Sequence, residues 1–62
     1  MIGRELAEIC DPEHTRFITD VGSRFHVFDS EGLLEYYGDE EIYSIYAEEA
    51  SPGEPLIRII FA

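Results

Sequence analysis

A chain of 62 residues has room for one domain and one small core, close to the size below which folding needs help from disulfides, metals or partners. It carries 14 Asp and Glu against four Arg and no Lys, a formal net charge of −10, which repels phosphates and anionic membranes and argues against direct contact with nucleic acid or lipid headgroups. Its apolar content of 45%, with aromatics spread along the chain, separates it from acidic disordered tails and predicts a folded domain over residues 1–62.

In chain order, Ile2 to Cys10 comes first. Ile2, Leu6 and Ile9 recur at helical spacing, and Asp11-Pro12 closes the segment, so a short amphipathic helix that depends on docking is expected. "RFITDVGSRFHVFD" follows as a hairpin. Phe17, Thr19 and Val21 alternate with Ile18 and Asp20, Phe25 and Val27 alternate with His26 and Phe28, and Gly22-Ser23 between them is a two-residue turn signal of the II′ kind.

"DSEGLLEYYG" predicts a second helix of about two turns. Asp29 or Ser30 is its cap, Glu31 lies in its first turn, Leu33, Leu34 and Tyr37 form its apolar stripe, and Gly38 is its stop. "EEIYSIYAEE" reads as a strand with Tyr43, Ile45 and Ala47 on one face and Ile42, Ser44 and Tyr46 on the other. "ASPGEP" is a turn, and "LIRIIFA" is the most β-prone run, with Ile57, Ile59 and Phe61 sharing a face. The expected fold is therefore α+β: a small four-stranded, mainly antiparallel sheet with short helices on one face, in the order α-β-β-α-β-β.

Chemistry-bearing patterns are few. The glycines form neither GxGxxG nor GxxxxGK[ST], so no nucleotide site is expected. Cys10 and His14 are the only close thiol–imidazole pair. Cys10 is read instead as a small buried residue of the first helix and His14 as a loop residue. "DSEGLLEYYGDEE" lacks the spacing of a calcium loop, and Asp39, Glu40 and Glu41 read as a solvated acidic turn. No metal, no cofactor and no catalytic residue is assigned, and a non-enzymatic protein is expected. His26 receives no role. Arg16, Arg24 and Arg58 are expected to pair with sheet neighbours such as Asp20 or Glu48.

The segment from Asp29 to Glu49 holds eight carboxylates, four tyrosines and no Lys or Arg. Crowding these charges within a screening length of roughly 8 to 10 Å opposes folding. Two readings compete: solubility, or an electrostatic mimic of nucleic acid that fills a basic groove. On the second reading Glu31, Glu35, Asp39, Glu40, Glu41, Glu48 and Glu49 take the place of phosphates, and Tyr36, Tyr43 and Tyr46 anchor the interface, with Tyr37 inside. In size, acidity and lack of catalytic motifs the chain resembles, as a class, the small inhibitors of phages and mobile elements such as anti-CRISPR and anti-restriction DNA mimics. That resemblance implies a basic partner, such as a DNA- or RNA-binding enzyme, and transfers no individual residue roles.

The alternative is a non-catalytic assembly module that forms a homodimer through the last strand, with Ile57, Ile59 and Phe61 as its contacts, if that strand lies at the sheet edge. The lone Cys10 and the absence of a signal-like or membrane-spanning run lead to the expectation of a cytoplasmic protein.

Overall fold

A computed structural model describes residues 1–62 and has the expected element order. Helix α1 is Gly3–Ile9, strands β1 and β2 are Phe17–Val21 and Arg24–Phe28, helix α2 is Ser30–Tyr37, and strands β3 and β4 are Ile42–Ser51 and Glu54–Phe61. The four strands form one sheet in the order β2-β1-β4-β3. The β1–β2 and β3–β4 pairs are antiparallel, and β1–β4 is parallel.

The two hairpins follow from their turn residues. Gly22 has φ +64° and Val21 faces Arg24, the two-residue turn with positive φ at its first position that Gly-Ser predicts. Pro52-Gly53 makes the other turn, with Gly53 at φ +84°. Pro first and Gly second is the type II preference, so the turn needs only these two residues. Strand β3 therefore runs to Ser51 and β4 begins at Glu54, and the expected six-residue loop is mostly strand.

Asp29 caps α2, its Oδ1 accepting from Gly32 N–H at 2.9 Å. Gly38 follows α2 in the right-handed region, φ −56°, so it ends the helix without the left-handed turn usual for glycine. Its carbonyl accepts from Arg4 N–H, and the Glu40 carbonyl accepts from Gly3 N–H. Segment 38–40 thus supplies partners for N–H groups at the start of α1, where the N-cap residue Ile2 offers no side-chain acceptor and Glu5 Oε1 accepts only from Ile2 N–H, at 2.8 Å.

A close approach between the helices sets the rotation of α1. A Cβ on Gly3 would lie 2.1 Å from the Tyr37 carbonyl oxygen. Glycine at position 3 therefore turns Gly3, Leu6, Ala7 and Cys10 inward, whereas the expected stripe of Ile2, Leu6 and Ile9 leaves Ile9 exposed. In α2 the inner line is Ser30, Leu33 and Tyr37, and Leu34 is exposed.

The core is one-sided. Leu6, Ala7 and Leu33 from the helices meet Phe17, Phe28 and Ile59 from the sheet, with Tyr37, Ile57 and Phe61 packed around them. The Tyr37 ring stacks on Phe61 at 4.8 Å and lies 5.1 Å from Phe28. The opposite face of the sheet has no helix. Ile18, Phe25, Val27, Tyr46, Leu56, Arg58 and Ile60 fall on it by register.

Two expectations need correction. Ile42 pairs with Phe61 but Ser44 pairs with Ile60, so Tyr43 is an extra residue in a bulge and the alternation slips there. Ile42, Ile45 and Ala47 consequently share the helix face, and Tyr43 does not join Ile45. Strand β4 is an interior strand, bonded to β1 and β3. Ile59 is fully buried, and Ile57 and Phe61 pack on the core, so β4 offers no free edge for pairing with a second copy.

Candidate functional site

The free edge of β2 and the flank of α2 enclose an open cleft of about 480 Å³. It is lined by Arg16, His26, Val27, Phe28, Asp29, Glu31, Gly32, Glu35 and Tyr36. The sequence places these groups simply: β2 leads directly through the Asp29 cap into α2, so the helix folds back beside the strand that precedes it. Glu31 and Glu35 are four residues apart and share a helix face, roughly 6 Å between their Cβ atoms.

Aromatic contacts build the wall of the cleft. The His26 ring lies 5.0 Å from Phe28, 5.4 Å from Tyr36 and 6.0 Å from Tyr37. Its Nδ1 and the Tyr37 hydroxyl are hydrogen-bonded at 3.2 Å. Tyr36, which packs edge-on against the His26 ring, stands at the cleft mouth and is 60% exposed. Nothing in the sequence near His26 points directly to this packing role. Its parity with Phe28 was the available signal, but nothing local shows that α2 returns over the same strand.

Charge pairing divides the expected acidic surface in two. Arg4 Nη2 donates to Asp39 Oδ1 at 2.6 Å, and the N-terminal amine donates to Glu41 Oε1 at 3.2 Å. Arg58 Nε donates to Glu48 Oε1 at 2.6 Å, and its Nη1 donates to Asp20 Oδ1 at 2.9 Å. This is the cross-strand pairing expected for Arg58, and the Glu48 hydrogen bond holds the guanidinium even more firmly protonated than usual. Asp39, Glu41 and Glu48 are therefore already neutralised within the chain. Glu31, Glu35, Glu40 and Glu49 have no cationic partner. Arg16 and Arg24 make no ion pair either, and Arg16 donates instead to its neighbour's carbonyl, Thr15 O.

The three expected aromatic anchors, Tyr36, Tyr43 and Tyr46, are all exposed, and Tyr37 is half-buried against the core. They do not form one patch. Tyr36 is at the cleft, Tyr43 is on the β3 bulge, and Tyr46 lies on the uncovered sheet face beside Arg58.

His14 does not serve Cys10. Its Nδ1 pairs with Asp11 Oδ2 at 2.7 Å. That hydrogen bond, with a second from Glu13 N–H, holds the Asp11 carboxyl below its ordinary value, while burial pushes the Cys10 thiol up. No helix is long and apolar enough to cross a membrane. Compared with models of protein families, with curated proteins and with solved structures, the chain matches none significantly.

Proposed function

We propose that this protein is a non-catalytic inhibitor that binds a basic partner by charge, standing in for nucleic acid in the groove of a DNA- or RNA-binding enzyme. One observation carries the reading. The cleft between α2 and β2 presents Asp29, Glu31 and Glu35 without a cationic partner, beside the exposed ring of Tyr36. Carboxylates left unpaired raise the rate of encounter with a positive surface, and a tyrosine held by its neighbours adds contact area at small entropic cost. The single thiol, Cys10, suits a protein working in the reducing cytoplasm.

The pairing pattern dictates the test. Reversing Asp39 or Glu41 would also break an intrachain ion pair, so the informative variant is Glu31→Gln combined with Glu35→Lys and Glu40→Lys. Immobilised protein and variant are exposed to a cell lysate and eluted by salt. Capture of a nucleic-acid-binding enzyme that elutes at moderate salt, is displaced by duplex DNA or RNA and is lost in the variant is the expected result. A partner that survives both salt and the variant overturns the reading, and so does the absence of any partner.

A further inference from the structure

The sheet has two free edges, and they are built differently. On β3 the register slips twice, between Ile42 and Ser44 and again between Glu49 and Ser51, and Glu48 and Glu49 lie along the strand. Bulges and edge charges are the usual means of preventing strand pairing. On β2 five successive residues pair with β1 without a slip, and the only charged side chain is Arg24 at the turn. Phe25 and Val27 stand 69% and 51% exposed.

The backbone of β2 is available for pairing. Ile57 N–H donates to the Arg16 carbonyl, so the even-numbered residues of β1 turn their backbone groups toward β4 and the odd-numbered ones toward β2. Val21, Thr19 and Phe17 then bond to Arg24, His26 and Phe28, leaving the N–H and C=O of Phe25 and Val27 pointing outward. The helix side of this edge opens on the cleft, where Asp29, Glu31 and Glu35 outnumber the single cation Arg16, and its other side carries the Phe25 and Val27 side chains.

We propose that β2 is a docking edge that takes an extended segment of a basic partner as a fifth strand, its Lys or Arg side chains over the acidic cleft and its alternate apolar side chains beside Phe25 and Val27. This rests on the basic-partner reading above and adds the mode of recognition. A second copy is the poorer occupant. Antiparallel pairing of β2 with its own copy brings two rows of α2 carboxylates together on chains that each carry −10.

The probe is a capped peptide of about seven residues alternating Lys and Val, long enough to span the five residues of β2. Its control is the same peptide N-methylated at alternate residues, which keeps the charge and removes the bonding N–H groups. The expected result is binding that weakens with salt, hydrogen-exchange protection of the Phe25 and Val27 amides, and about tenfold loss with the N-methylated peptide. Val27→Pro, placed where the N–H points to solvent, removes protection without changing the fold seen by circular dichroism. Should that variant unfold, the N-methylated peptide still decides.

Equal binding of both peptides overturns strand addition and leaves the charge-based reading intact, as does protection confined to β3. No binding of either peptide overturns strand addition, whatever the lysate capture shows. Protection of Phe25 and Val27 in the unliganded protein, with a dimer in sedimentation, assigns the edge to a second copy and overturns the proposal.

Discussion

Asp11 joins the end of α1 to the loop that leads into β1. Its carboxylate accepts from His14 Nδ1 at 2.7 Å and from Glu13 N–H at 3.0 Å, and both bonds favour the ionised form, holding the group below its ordinary value of 3.8. A carboxyl whose pKa is lower in the folded state contributes stability above the unfolded value, and that contribution disappears as pH falls through the folded value. Urea unfolding of the native protein and of Asp11→Asn, from about pH 6 to about pH 2.5, should show the native chain ahead at the upper end, with the gap closing below about pH 4. A gap that stays constant over that range would mean that the Asp11 contacts do not respond to ionisation. Arg58 illustrates the opposite arrangement: clamped by Glu48 and Asp20, it is a fixed structural charge at the centre of the uncovered sheet face.

Between elements, the contact that orients the helices is the approach of Gly3 to the end of α2. A methyl group there meets the Tyr37 carbonyl oxygen at 2.1 Å and the Leu33 side chain at 3.3 Å, and a backbone carbonyl cannot swing aside. Gly3→Ala is therefore expected to destabilise the fold by about 1 to 3 kcal/mol, although alanine favours helix over glycine by about 1 kcal/mol. Urea denaturation measures the difference, and a stabilised variant would show that the helices can separate freely. This contact explains which parts of the fold were legible in the sequence. Local signals sufficed for the Gly22-Ser23 turn, for a cap at Asp29 or Ser30 and for the element order, because each depends on residues within a few positions. The inward face of α1 was misread because it is set by a residue 34 positions away in α2. The bulge at Tyr43 and the interior place of β4 were invisible for the same reason: both are properties of pairing between strands. Of the candidate site, Glu31, Glu35 and Tyr36 could be named in advance, but Asp29 was expected only as a helix cap, and the division of the acids into paired and unpaired groups required the fold.

Across the whole molecule, ten of the fourteen carboxylates have no arginine or N-terminal amine as partner, and the body measures only 31 × 28 × 18 Å. At about 10 mM salt the screening length is roughly 30 Å, so every charge acts on every other; at about 150 mM it is roughly 8 Å, and only neighbours interact. Salt weakens the four ion pairs made by Arg4, Arg58 and the N-terminal amine, which lowers stability. It also weakens the long-range repulsion of a chain at −10, which raises stability. Exposed pairs are worth little individually, whereas the repulsion is summed over all the unpaired groups, so repulsion should win. The melting temperature is expected to rise by on the order of 5 °C between about 10 and about 150 mM sodium chloride, the shift that corresponds to about 1 kcal/mol in a domain of this size. Replacing Glu31, Glu35 and Glu40 by Gln should raise the low-salt melting temperature and flatten the salt dependence. A melting temperature that falls with salt would show that the ion pairs dominate and that the acidic surface carries no folding penalty. If it rises, the unpaired carboxylates are held against a cost that a basic partner would relieve, and adding such a partner should stabilise the chain most at low salt.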